Sequence, residues 1–248
     1  MDNALAPASR FLRVMSFTLP VVLLLLASPL SGQQTYVTRY DAFGGYAFLD
    51  SPHVSLFENG FSTQAGVRVR KWVSLGVDYT YASGNLTITP DLLTTALQQQ
   101  LVAQLAGLVR AGVIPPTYSL SVAAHSRTQT FAVGPQLAYR HFTKTTLFLR
   151  PLFMGIIHET ATPTPTPADP IATGIVKSLA PSGTKTNNVL FYGFGGGFDI
   201  IFSKHFSWRT QADLVYDHLF DDLLKDGRFT TRFSTGPAFN FGKNIAEK

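Results

Sequence analysis

The sequence predicts an all-β protein: an eight-stranded antiparallel up-and-down transmembrane β-barrel with one short helix in an external loop. Three observations carry that expectation. Apolar and polar residues alternate with period two in eight separate runs, the pattern of a strand with one greasy face and one polar face. The connections between the runs are alternately short and long. The polar positions hold arginine and aspartate, while every lysine lies in a turn, loop or tail.

The runs follow one another from residue 36 to residue 241. The first, 36–49, sets Tyr36, Tyr40, Ala42, Tyr46 and Phe48 against Arg39 and Asp41. The second, 61–70, sets Phe61, Ala65, Val67 and Val69 against Ser62, Gln64, Arg68 and Arg70. The third is WVSLGVDYTYA, 72–82, whose odd positions from Val73 to Tyr81 are all apolar or aromatic and whose even positions include Asp78. In the fourth, around 127–140, Phe131, Val133, Leu137 and Tyr139 oppose Thr128, Thr130, Gln136 and Arg140. The fifth, 146–159, is less regular and sets Leu147, Leu149, Phe153 and Ile157 against Arg150 and His158. The sixth, 189–202, turns Leu190, Tyr192, Phe194, Phe198 and Ile200 away from Gly193, Gly195, Gly197 and Asp199. The seventh, 206–218, opposes Phe206, Trp208, Leu214 and Tyr216 to Arg209, Gln211, Asp213 and Asp217. The eighth, 229–241, opposes Phe229, Phe233, Phe239 and Phe241 to Arg232, Ser234 and Asn240. Each run is close to or above the roughly 9–11 residues that a tilted strand needs to cross a bilayer.

Tight links are expected around Lys71, at 141–145 and at 203–206, and longer ones at 50–60, 83–126, 160–188 and 218–228. Short turns on one side and long loops on the other, with an even strand count and both chain ends at the short-turn side, describe an outer-membrane barrel. The alternation alone does not say which face is wet. Arginine does, because a closed polar interior favours its planar fork, which pairs carboxylates at little entropic cost, whereas a solvated face uses lysine freely. Volume agrees: the inside of eight strands is just wide enough for side chains, and the aromatic set would overfill it. The polar face therefore points inward, and Arg39, Asp41, Arg68, Asp78, Arg140, Arg150, Asp199, Arg209, Asp213, Asp217 and Arg232 are expected to form a lumen network.

Residues 1–32 differ in composition. Arg10 and Arg13 precede the apolar stretch VMSFTLPVVLLLLA, and small, turn-prone residues follow it, which reads as a secretory signal cut before Gln33. The barrel domain is then 33–248. Charged residues make up 14% of the chain, below the roughly 25% usual for a soluble domain. The net charge of +5 is scattered, so no nucleic-acid partner is expected. With no cysteine and six dispersed histidines, neither a disulfide framework nor a metal site is expected, and no cofactor is implied.

A signal, eight alternating strands, short turns, long loops and a last strand ending FSTGPAFNF resemble the OmpA-type and opacity-protein-like eight-stranded outer-membrane barrels over residues 36–241. That resemblance implies an outer membrane of the Gram-negative type, reached by the secretory pathway, with lipid and the barrel-assembly machinery as partners and a monomeric state. The strand-terminal aromatic is Phe241, with GKNIAEK trailing it, and a peptidoglycan-binding domain after the barrel is not expected.

Local clusters add little chemistry. His53, Ser55 and Glu58 are the residue types of a hydrolase, but they sit in an expected loop without a supporting motif. His158 and Glu159 are neighbours and so fall on opposite faces. GFGGGF at 193–198 has no helix after it and reads as small lumen residues making room for arginines. Two loops stand out. Residues 89–112 carry Thr89 as cap, Pro90 at the first helical position, Leu93, Leu97, Leu101, Leu105 and Leu108 in one stripe, and Gly112 as stop, which predicts an amphipathic helix. The stripe either packs as a lid or meets lipid headgroups or a surface partner through the 85–125 loop. ATPTPTPADP, 161–170, predicts an extended polyproline spacer. The functional expectation is a non-enzymatic barrel, plugged and serving a structural or surface-interaction role, with a narrow porin or solute carrier as the alternative.

Overall fold

The computed structural model describes residues 34–218, 220, 222–224 and 228–245, so the expected signal segment lies outside the described residues. Eight antiparallel strands close into a barrel in sequence order: β1 (Thr38–Ser51), β2 (Leu56–Arg70), β3 (Val73–Ile88), β4 (Val122–Tyr139), β5 (Thr145–Thr164), β6 (Lys185–Ile201), β7 (Phe206–Asp217) and β8 (Arg228–Asn244). β8 pairs with β1, so no strand edge is left open. Two α-helices lie in the loops, α1 (Thr95–Arg110) and α2 (Pro170–Leu179). No helix among the described residues is long and apolar enough to cross a membrane.

The wall is inverted relative to a soluble barrel. Leu190 is 78% exposed, and Phe61, Leu75, Val77, Phe131, Ile156, Phe194 and Phe239 also face outward. Among the described residues the buried set in contrast contains four arginines and seven acidic side chains, all on strands. Such a surface is stable in hydrocarbon, where a closed sheet satisfies every backbone hydrogen bond internally.

The strands run further toward the long-loop end than the alternation indicated. The connection expected at 50–60 is a single 3-10 turn, Pro52–Val54, closed by Ser55 with φ of 51°. Short and long links therefore do not alternate strictly, since this one is as tight as the turns at the opposite end. Lys185 opens β6 and Lys243 lies in β8, so two lysines belong to strands after all.

Two bulges correct the inward set. In β5 the register shifts between Arg150 and Phe153 against β6 and across the facing stretch of β4. Proline cannot donate to the ladder, and the extra residue at Pro151–Leu152 inverts the parity. Arg150 and Phe148 point in, Leu152 points out, and Phe153 and Ile157, expected on the outer face, are fully enclosed. In β1 a shift between Thr38 and Tyr40 buries Thr38 and leaves Arg39 exposed. Arg39 therefore does not join the lumen network, and Arg70, beyond a similar shift in β2, is exposed too.

Candidate functional site

The lumen is filled in layers. At the short-turn end, Asp199 and Arg209 face each other directly across β6 and β7. The arginine fork engages both carboxylate oxygens, with Nε donating to Oδ1 at 2.8 Å and Nη2 to Oδ2 at 3.0 Å. Arg209 Nη2 also donates to Asp41 Oδ2 at 3.0 Å, and Nη1 to Gln64 Oε1 at 3.2 Å. Arg68 completes this group, 3.4 Å from Asp41 Oδ1 and donating to Asn240 Oδ1 at 2.7 Å and Thr38 Oγ1 at 2.8 Å. The Arg209 guanidinium lies 5.1 Å from the centre of the Phe148 ring, which contributes a cation–π contact.

One layer toward the loops, Asp78, Arg150, Asp213 and Arg232 close a second group in which charges alternate around the ring. Arg232 Nη2 donates to Asp213 Oδ2 at 2.7 Å and Nη1 to Asp78 Oδ1 at 3.0 Å. Arg150 Nη1 donates to Asp213 Oδ2 at 3.0 Å, and its Nη2 bonds Asp78. Both guanidiniums rest on Phe153, with Arg150 4.1 Å and Arg232 5.4 Å from the ring centre. Each group balances two arginines against two aspartates, which is what lets ions leave water at tolerable cost.

β6 explains why there is room. A Cβ at Gly193 would stand 2.6 Å from the Phe153 ring, and one at Gly195 would stand 2.1 Å from Asp213 Oδ1. The glycines thus accommodate an aromatic and a carboxylate rather than arginines. The remaining expected network members lie at the margins. Arg140 sits past the end of β4, donating to Gln34 Oε1, Thr146 Oγ1 and the Lys71 carbonyl, with no carboxylate partner among the described residues. Asp217 is buried nearer the loops, where Thr230 donates to it.

Above the arginines lies a layer that the alternation did not reveal. Glu58 is not in a loop: it lies on β2, 2% exposed and pointing inward, whereas His53 and Ser55 are exposed in the turn, so the three do not converge. Glu159 also points inward and accepts from Ser126 at 3.1 Å, while His158 faces out and bonds Asn188. Glu58, Glu159 and Asp217 line a small compartment of ≈ 20 Å³. Extending the inward parity of β2 by a few residues would have found Glu58, whereas Glu159 turns inward only because the insertion at Pro151–Leu152 inverts the parity of β5.

The long loops cap this end. The helix expected from Thr89 begins at Thr95 instead; Pro90–Leu92 form a 3-10 turn, and Leu93 is extended and bridges Leu224. Pro90 thus opens the 3-10 turn, and α1 starts after Thr94, whose N–H bonds the Leu223 carbonyl. Gly112 does end α1, at φ 72°, with its N–H bonded to the Val109 carbonyl and that of Val113 to the Leu108 carbonyl. Leu101 is buried, and Leu97 and Leu105 pack beside it on a cluster containing Leu93, Leu56 and Phe220. The stripe is therefore covered by the protein's own cap, apart from Leu108, which is half-exposed outside that cluster.

The Thr-Pro segment is also different from expectation. Ala161–Thr164 continue β5 and pair with β4, and the spacer ends in α2. Asp169 caps α2 through the N–H groups of Ile171 and Ala172 at 3.0 and 2.9 Å, with Pro170 at the first helical position. These bonds, with the Tyr118 hydroxyl donated at 2.7 Å, hold the Asp169 carboxyl below the usual range. Tyr118 is pushed up to about 12 by burial and by the same carboxylate. The capping pair Asp169-Pro170 followed by Ile171, Ile175, Val176 and Leu179 is a helix signal that the preceding repeat obscured. Between the cap and the carboxylate layer lies an apolar cavity of ≈ 100 Å³.

With this geometry, similarity to known structures concerns the fold. The outer membrane protein OprG from Pseudomonas aeruginosa matches with a TM-score of 0.50 at 7% identity, over 86% of this chain and 100% of that one. The chain folds as an eight-stranded outer-membrane barrel. Neisserial surface protein A (TM-score 0.47, 9% identity, 85% of this chain and 100% of that one) and the attachment invasion locus protein Ail of Yersinia pestis (TM-score 0.45, 10%, 83% and 99%) are also similar. No protein-family model and no curated protein matches the sequence. The barrel's resemblance to the OmpA-type and opacity-like proteins is thus one of architecture.

Proposed function

We propose that this barrel is a closed, non-conducting and non-catalytic protein of a bacterial outer membrane, which holds its loop cap at the cell surface as an interaction platform. The observation that supports this is the pair of charge-balanced groups, Asp41–Arg68–Asp199–Arg209 and Asp78–Arg150–Asp213–Arg232, stacked across the lumen. An eight-stranded barrel encloses little more space than its own side chains need. The gap that a narrow porin would use beside Gly193 and Gly195 is occupied by Phe153 and Asp213. In this reading residues 1–32 direct secretion, the barrel-assembly machinery inserts a monomer, and the short-turn end faces the periplasm.

The test is planar-bilayer recording of the refolded protein. No unit conductance is expected, while Asp213→Ala with Asp78→Ala, which strips the carboxylates from one tier, is expected to produce unstable openings. Regular conductance steps in the unmodified protein would overturn the closed reading.

A further inference from the structure

The cavity under the cap is unlike the rest of the lumen. Its walls are hydrocarbon: Leu56 and Val122 from the strands, Leu120 from the first long loop, Ile175 and Val176 from α2, and Phe220 from the last. An apolar cavity of ≈ 100 Å³ is of the order of the ~150 Å³ engineered cavity that stays dry and takes up a single small ring. Water gains nothing there, having no polar partners on most sides.

Two charged residues border it: Lys185, whose ammonium is paired with Asp222, and Glu159. Leu56 and Glu159 border both this cavity and the ≈ 20 Å³ compartment beneath it. Across that compartment stands Glu58, 2% exposed, its carboxyl near the Ser126 and Thr128 hydroxyls but with Oε1 accepting no hydrogen bond. A buried carboxyl oxygen without a donor carries a desolvation cost that a bound donor would relieve. The occupant that answers both features has an apolar body for the cavity and one donor directed at Glu58. A charged head is disfavoured because it would have to pass through hydrocarbon walls.

We infer that the chamber is a binding site for a compact, uncharged apolar molecule of about six heavy atoms bearing a single hydroxyl group. This goes beyond the closed-barrel reading and does not depend on it, since the cavity lies on the loop side of the arginine tiers.

The experiment uses the whole protein in lipid nanodiscs, with cyclopentanol and cyclopentane as probes and methyl NMR as readout. Methyls of Leu120, Ile175 and Val176 should shift saturably, whereas the outward-facing Leu75, Val77 and Leu190 should change only linearly as the probe partitions into lipid. Cyclopentanol should bind about fivefold tighter than cyclopentane, the worth of one neutral hydrogen bond. Glu58→Leu should abolish that preference, and either Val176→Trp or Ala161→Phe should abolish saturation by filling the chamber. Unboiled gel mobility identifies any variant that fails to fold, and the other filling variant then decides. Non-saturable shifts at all methyls would overturn the site. Equal affinity for the two probes, or an unchanged preference in Glu58→Leu, would overturn the hydroxylated class. Conductance is unaffected by either result, so the two readings fail separately.

Discussion

Double-mutant cycles should resolve the lumen into two energetic units. Arg232 is 1% exposed and is shared by Asp78 and Asp213. Arg232→Ala leaves those two carboxylates facing Arg150 alone, an uncompensated buried charge that costs roughly 3–5 kcal/mol. Asp213→Ala leaves Arg150 and Arg232 sharing Asp78, with a penalty of the same order. Together the two substitutions restore balance, because Arg150 and Asp78 remain as one pair. The double variant should therefore fall short of the sum by a coupling energy of about 1–3 kcal/mol. Arg209→Ala with Asp213→Ala is the control. Arg209 belongs to the tier of Asp41 and Asp199 and shares no carboxylate with Asp213's arginines. That double variant leaves one tier short of a cation and the other short of an anion, so its cost should equal the sum to within about 0.5 kcal/mol. The assay is reversible urea unfolding in lipid vesicles followed by the fluorescence of Trp72 and Trp208. Strict additivity for Arg232 and Asp213, or coupling above about 1 kcal/mol for Arg209 and Asp213, would refute the two-tier account.

Three further outcomes are expected. Because every strand edge is paired, the barrel should stay folded in unheated SDS and migrate differently after boiling; identical mobility would contradict closure. Leu97→Glu with Leu101→Glu should keep strand circular dichroism and heat-dependent mobility while raising protease cleavage within 89–121, since these leucines pack the cap; unchanged protection would show that the stripe is held by something else. The Asp169 carboxyl, lowered by its α2 N–H bonds and Tyr118, should stabilise the cap fully above the unfolded value of about 3.9 and lose that contribution as pH falls through its lower folded value. Tyr118, raised to about 12, works in the opposite sense: its tether is complete below the unfolded value of about 10 and is lost as pH rises through about 12. Cleavage between 165 and 184, measured against pH, should lose its acid limb in Asp169→Asn and its alkaline limb in Tyr118→Phe.

The parts of this lumen that the sequence reveals are those reached by unbroken pairing. Asp199 and Arg209 each lie five residues from Lys204 in the tight turn, so the hairpin brings them face to face, and a period-two reading is sufficient to pair them. Asp213 and Arg232 also end up opposite each other, but only closure of β7 on β8 across a ten-residue connection fixes that register. Parity fails where one residue is inserted. Pro151 marks the insertion that turns Phe153 inward, yet Pro135 and Pro237 occupy strands whose inward parity runs straight through them, so proline alone does not locate a bulge. Arg39 has no proline beside it, and its outward turn follows from how β1 meets β8, a contact nearly the whole chain apart in sequence. The second arginine tier depends on this hidden geometry. Without the Pro151 insertion, Phe153 would point to lipid, and Arg150 and Arg232 would lose the ring on which both rest. The plug is legible as a set of charges, but its division into two tiers is a property of the closed ladder.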